Sequence, residues 1–293
     1  MKVKLVCGFL GSGKTTFIRN YLDKSNQKVI VLINDFGSVG IDAELISQRG
    51  GLNVVELPSG CICCTLRVDL DIALSQIYTE FRPERLIIEP SGIATQSGII
   101  EVLQTHQFSK FFEIEPVIGI IDATSFLECY ETEIFSKLYI DQILNSDIIL
   151  INKCDLVSKE TPKLIEEKIK EANPSAIICL TEYCKIYLPR LERLDKKIAH
   201  LHFNAEFDSF SMQSEKNFDE EEVKNLFCEF SSGIYGEIFR AKGIFKTKSG
   251  FINLDYVFKN VEFKKLDNAK NSKLLIIGKD LNKTSIQKKI SKL

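Results

Sequence analysis

The 293-residue sequence predicts an α/β fold: a mostly parallel sheet with flanking helices, followed by a smaller α+β domain. Three observations predict it. Short apolar runs alternate with amphipathic stretches over the first two thirds of the chain, the order of strand, helix and strand that builds parallel sheets. A glycine-rich loop joins the first apolar run to the first amphipathic one. Beyond residue 190 aromatic residues become frequent and short strand-like runs follow one another. The expected division is therefore a first domain over 1–190 and a second over 195–293.

In order, KVKLVC reads as a strand, KTTFIRNYLDK as a helix and KVIVLI as a second strand. LNVVEL, RLIIE, PVIGIID, DIILIN and AIICL follow as strands, each bounded by Pro, Gly, Asn or Asp. Between them LDIALSQIYTEF and SKETPKLIEEKIKEAN have helical character, the second stopping at Asn173-Pro174 because a residue before proline avoids the helical region. RAKGIF, FINLDYVF, VEFKKL and KLLIIG are the strands of the second domain, closed by an amphipathic helix within LNKTSIQKKISKL.

Composition narrows the function classes. With 44% hydrophobic and 27% charged residues and a net charge of -2, the chain has no strong field for nucleic acid or an anionic membrane, and neither is expected as a partner. No run approaches the roughly 20 apolar residues of a membrane span, so a cytoplasmic location is expected. Nine cysteines then read as free thiols, metal ligands or core residues. Cys129, Cys179, Cys184 and Cys228 stand singly and read as packing residues.

Gly8, Gly13, Lys14 and Thr15 satisfy G-x-x-x-x-G-K-[ST] between a strand and a helix, the signature of a P-loop NTPase domain. Glycines let backbone N–H groups face phosphate oxygens, the helix adds its positive end, Lys14 reaches the β and γ phosphates and the Thr15 hydroxyl ligates Mg2+. Gly11, Ser12 and Thr16 complete this cofactor-binding set.

Asn152, Lys153 and Asp155 form N-K-x-D directly after the strand DIILI. An Asp carboxylate there accepts from guanine N1–H and N2–H, which adenine lacks, and this selects GTP. Glu89 and Gly92 end RLIIE as E-P-S-G, placing a carboxylate for Mg2+ and a glycine N–H for the γ-phosphate. Asp35 is a second magnesium-side or switch carboxylate, and Lys14 and Glu89 are the catalytic candidates. Cys61, Cys63 and Cys64 in GCICC suit a soft or borderline ion, although a cysteine-rich turn or a redox pair fits the same residues. His200 and His202 read more simply as a surface pair than as ligands.

Together GFLGSGKTT, EPSG, NKCD and GCICC resemble the CobW-like metallochaperone GTPases, and GEIFRAKGIF with LLIIGKDL resembles that family's C-terminal domain. The resemblance implies slow GTP hydrolysis coupled to binding of a transition metal, Zn2+ or Co2+, at Cys61, Cys63 and Cys64, and its delivery to a metal-receiving apoprotein. Homodimerisation is left open. The family usually carries N-E-F-G-E-V-G where this chain has Asn34, Asp35, Phe36, Gly37, Ser38, Val39 and Gly40, so one carboxylate is shortened and another lost. A non-enzymatic zinc-binding interaction protein, or a P-loop small-molecule kinase, are the competing readings; the second leaves NKCD and GCICC unexplained.

Overall fold

A buried seven-residue strand, β1 (Lys2–Gly8), opens the chain and lies in the middle of its sheet. The computed structural model describes residues 1–23, 28–33, 53–56, 65–189, 191, 198–199, 207–266 and 269–293. Its elements fall into two compact units.

In the first unit, β1 is followed by α1 (Lys14–Leu22), β2 (Val29–Ile33), β3 (Asn53–Glu56) and α2 (Thr65–Gln76), which continues as a π-helical turn at Ile77–Phe81. Then come β4 (Arg85–Glu89), α3 (Gln96–Gln104), the two-residue β5 (Glu113–Ile114), β6 (Ile118–Asp122), α4 (Phe126–Tyr130) and α5 (Glu133–Asn145). β7 (Ile148–Asn152), a 3-10 turn at Cys154–Leu156, α6 (Thr161–Ala172) and β8 (Ile177–Leu180) complete it.

The sheet order is β3-β2-β4-β1-β6-β7-β8, with β5 added beside β1, and every pairing is parallel. Parallel strands covered on both faces read as unbroken apolar runs, and β2, β6 and β7 are buried at every position. One face packs Val3, Leu5, Ile30, Leu32, Leu86 and Ile88 against Leu70 and Leu74 of α2 and Ile99 and Leu103 of α3. The other face of β1 carries Lys4, whose ammonium meets Glu115 at 3.1 Å and lies 5.5 Å from the ring centre of Tyr21 on α1. Helices therefore cover both sides, as the alternating pattern required.

Sequence pattern and structure differ at the end of α2. LDIALSQIYTEF reads as one regular helix, but its last turn widens, with Arg82 N–H donating to the Ile77 carbonyl at 3.0 Å and Arg82 in the left-handed region at φ 43°. The widened turn keeps Ile77 in the core while Tyr78 meets Phe111 with the rings tilted and their centres 4.6 Å apart.

The second unit holds β9 (Asp208–Ser214), α7 (Glu220–Glu229), a 3-10 turn at Phe230–Ser232, β10 (Glu237–Thr247), β11 (Gly250–Val257), β12 (Asn260–Leu266), β13 (Ser272–Lys279) and α8 (Lys283–Lys292). Its antiparallel sheet, in the order β12-β11-β10-β13-β9, packs Phe245, Leu254, Tyr256 and Ile276 against Leu226 and Phe227 of α7 and Ile286 of α8. Glu229 ties the two helices, accepting from Tyr235 at 2.8 Å and Lys289 at 2.7 Å. The charged edge strand β12 is largely exposed, which discourages edge-to-edge pairing. β9 and α7 lie outside the runs singled out in the sequence, although α7 is as amphipathic as α8; the other strands and α8 lie where their runs predict them.

Candidate functional site

The glycine loop leaves β1 at the sheet position where strand order reverses, with β2 and β4 to one side and β6 and β7 to the other, the place where open α/β sheets form a crevice. Phe9 and Leu10 of the loop are anchors rather than spacers. Phe9 is fully buried with its ring centre 4.9 Å from both Phe135 and Tyr139 of α5, and Leu10 is equally buried. Core packing thus fastens the loop.

Gly13 caps α1 at φ 109° and ψ 20°, a left-handed conformation that costs a side-chain-bearing residue free energy. A Cβ there would stand 2.6 Å from Asn152 Nδ2, so only glycine fits. No side chain caps α1 and no acidic residue occupies its first turn, so its positive end is open to an anion. Lys14 is buried, its ammonium donating to the carbonyls of Gly8 at 3.0 Å and Phe9 at 3.3 Å, which holds it over the loop. The buried Ser12 hydroxyl has no hydrogen-bond partner among the described residues, a donor suited to a phosphate oxygen. Gly11 and the exposed Thr16 complete the loop and the first helical turn.

Glu89, the last residue of β4, is buried and accepts from the Thr15 hydroxyl at 3.1 Å. A carboxylate and a hydroxyl in contact form a hard-oxygen pair that fits Mg2+. Gly92, three residues on, lies so close to the loop that a Cβ would come within 2.7 Å of the Leu10 N–H nitrogen. The E-P-S-G segment and the phosphate loop therefore share a boundary with no room for a side chain.

Asn152 ends β7 and is buried. Its Nδ2 donates to the Ser12 carbonyl at 2.9 Å, while its Oδ1 accepts from Cys184 N–H at 2.9 Å and from the Thr181 hydroxyl at 3.2 Å. Lys153 follows in the left-handed region, φ 63°, with its ammonium 2.7 Å from the buried Asp122 carboxylate. Asp155 lies on the 3-10 turn, exposed to solvent. The N-K-x-D residues are thus split: Asn152 serves the protein, and Asp155 faces outward.

The remaining predicted residues, Asp35, Cys61, Cys63 and Cys64, and with them Ser38, His200 and His202, lie outside the described residues. Among the described residues no group of His, Cys, Asp or Glu forms a metal cluster. No described helix is long and apolar enough to cross a membrane. Cys129 and Cys184 are buried as expected and Cys7 is buried too, but Cys179 on β8 is only half-buried and Cys228 is exposed, because it sits on the outer face of α7 opposite Leu226 and Phe227. Cys184 also does more than pack: its thiol approaches the Gly13 carbonyl at 3.5 Å, and burial pushes its pKa up to about 12.

Motif reading missed Asp122, Thr124, Thr181 and Cys184. Asp122 carries one signal in sequence, an Asp ending an apolar strand with a threonine two residues later, the pattern of a local Asx turn. Thr181 and Cys184 carry none, since only the pairing of β8 with β7 brings them to Asn152.

Residues 2–179 match the CobW/HypB/UreG nucleotide-binding domain, and residues 207–293 match the cobalamin synthesis protein CobW C-terminal domain. Zinc-regulated GTPase metalloprotein activator 1 of Dictyostelium discoideum is 30% identical over 83% of this chain and 62% of its own length. Zinc chaperone YeiR of Escherichia coli is 31% identical over 69% of this chain and 63% of its own length. The chain thus spans less than two thirds of the length of these curated relatives. A crystal structure of Zn(II)-bound YjiA GTPase from E. coli aligns over all of this chain and 98% of that one, at 22% identity and TM-score 0.44. With a phosphate loop, a Thr15–Glu89 hydrogen bond, an N-K-x-D edge and both matched domains in one chain, this protein belongs to the CobW/HypB/UreG family.

Proposed function

We propose that the protein binds and slowly hydrolyses GTP and couples its nucleotide state to binding and delivery of a divalent transition metal. The observation that carries the nucleotide half is the convergence of Gly8–Thr15, Glu89 and Asn152 at one sheet edge through the Thr15–Glu89 and Asn152–Ser12 hydrogen bonds. Lys14 and the N–H groups of Gly11, Ser12 and Gly13 hold the phosphates, and Thr15 and Glu89 would hold Mg2+, which would supply charge neutralisation for phosphoryl transfer. Gly92 N–H senses the γ-phosphate, Asp35 is a switch carboxylate, and Asp155 accepts from guanine. Thr16 adds its N–H at the first helical turn.

The metal half rests on Cys61, Cys63 and Cys64 and on the names borne by relatives, which include zinc chaperones. Three thiolates within four residues favour Zn2+ over hard cations, with Co2+ as a second cargo. The receiving partner is a metal-requiring apoprotein in the cytoplasm, and the protein acts as a monomer or a homodimer.

Phosphate release from GTP and ATP, with and without Mg2+, tests the first half. Lys14→Ala should reduce turnover by about 100-fold or more while leaving the melting temperature nearly unchanged, since its partners are loop carbonyls and its role is charge. Competition titration of Zn2+ against a chromophoric chelator tests the second. GTP in place of GDP should strengthen metal binding by roughly 5-fold to 150-fold, and the triple Cys→Ser variant at 61, 63 and 64 should lose the binding. Identical metal affinity in the GTP, GDP and nucleotide-free states rejects the delivery mechanism.

A further inference from the structure

Asp122 is the last residue of β6 and lies in register with Asn152, the residue before Lys153, on the adjacent strand. It is buried, and the Ala123 N–H extends the strand pairing by donating to the Asn152 carbonyl at 2.9 Å. A buried carboxylate is costly unless its lone pairs are used. Here one oxygen accepts from the Thr124 N–H at 2.9 Å and the Thr124 hydroxyl at 2.7 Å, and the other takes the Lys153 ammonium at 2.7 Å.

This arrangement does something specific to Lys153. A lysine on a strand-to-turn junction ordinarily samples many rotamers, and fixing it costs conformational entropy. Lys153 is held at both ends: its backbone is set in the left-handed region at φ 63°, ψ 33°, and its ammonium is clamped by Asp122. Its side chain is only 25% exposed. The four methylenes between are a pre-ordered apolar bar, two residues from the outward-facing Asp155. A purine held by Asp155 through its edge needs an apolar surface against its face, and a bar ordered in advance saves the ordering cost on binding.

We infer that Asp122 is a positioning residue for nucleobase binding: it anchors Lys153 so that the lysine stem forms a fixed platform for the face of the guanine. The inference rests on the proposed guanine recognition by Asp155. It separates Lys153 from Lys14, since the first ammonium is spent on a protein carboxylate and the second stands over the phosphate loop.

The test compares a ligand with a base and a ligand without one. Asp122→Asn keeps the shape and an acceptor for Thr124 but weakens the charged anchor, and Asp122→Ala removes it. Calorimetric affinities for GDP and for tripolyphosphate are measured on both, with melting curves to confirm folding. GDP affinity should fall by about 3-fold to 10-fold in Asp122→Asn and further in Asp122→Ala, with tripolyphosphate affinity unchanged. Equal losses for both ligands, or no loss for GDP, overturn the inference.

Should Asp122→Ala fail to fold, a cycle with Asp122→Asn and Lys153→Met decides. Action through Lys153 requires that Asp122→Asn add nothing to the loss in GDP affinity already caused by Lys153→Met, and additive losses overturn it. Wild-type protein that binds ADP as tightly as GDP overturns the guanine reading and this inference with it. Discrimination by the wild type with unchanged GDP affinity in Asp122→Asn overturns this inference alone.

Discussion

The side-chain amide of Asn152 donates to the Ser12 carbonyl at 2.9 Å, joining two motifs 140 residues apart in the chain. Through its oxygen the same amide accepts from Cys184 N–H and Thr181, so one buried side chain ties together the loops after β1, β7 and β8. Gly13 is the steric counterpart of this contact, because any side chain there would displace Asn152. Asn152→Asp is the sensitive substitution: a carboxylate keeps the acceptor for Cys184 but cannot donate to Ser12. We expect a loss of about 1–3 kcal/mol in stability, read by chemical denaturation, together with weaker GDP binding. Wild-type stability in Asn152→Asp would show that the bond is incidental.

Glu89→Gln keeps the acceptor for the Thr15 hydroxyl and removes the charge. If Glu89 serves Mg2+, the concentration needed for half-maximal GTP turnover should rise by roughly 10-fold to 100-fold, with nucleotide-free stability close to wild type. A Mg2+ titration of phosphate release measures it, and an unshifted midpoint assigns Glu89 to structure only.

Asp155 is exposed on its turn and makes no packing contribution that a substitution would disturb. Asp155→Asn should therefore leave folding intact, lower GTP affinity by about 10-fold or more and raise affinity for xanthosine triphosphate, because the amide presents a donor where guanine needs an acceptor. Fluorescent-nucleotide competition reads both affinities. Unchanged preference for GTP over the xanthine nucleotide removes Asp155 from base recognition.

Cys184 and Cys228 give a check on burial. Desolvation holds the Cys184 thiol protonated, its pKa at about 12, with Lys153 opposing and Asp122 reinforcing the shift. At pH 8 native protein should be alkylated at Cys228 and spared at Cys184, as read by peptide mass spectrometry. The sign for stability follows: folding favours the neutral thiol, so the contribution is complete below the unfolded thiol pKa and declines as pH rises through it towards 12. Prompt labelling of Cys184 in native protein would contradict its packing against Gly13.

Local chemistry made much of this protein readable in advance. The apolar runs became β1 to β4, β6 to β8 and β10 to β13 because buried parallel strands and half-buried antiparallel strands impose their own patterns on sequence. The glycine loop was legible because phosphate binding needs fixed residue types at fixed spacing, and the Asn-Pro stop of α6 because proline acts on its neighbour. β5 and α4 were not legible because they are two and five residues long, and β9 and α5 because their apolar residues are weakly segregated; α3 and α7 are as amphipathic as α8 but stand outside the runs that marked the other helices. Tertiary structure alone decided that Asn152 would brace the phosphate loop, that Gly92 would lie against Leu10, and that Asp122 would clamp Lys153. Those contacts join residues far apart in sequence, and their partners are chosen by strand order and register, which bring β6 beside β7 and β1 beside both β4 and β6. A sequence pattern reports the environment of each residue; only the paired sheet specifies which distant side chain supplies it.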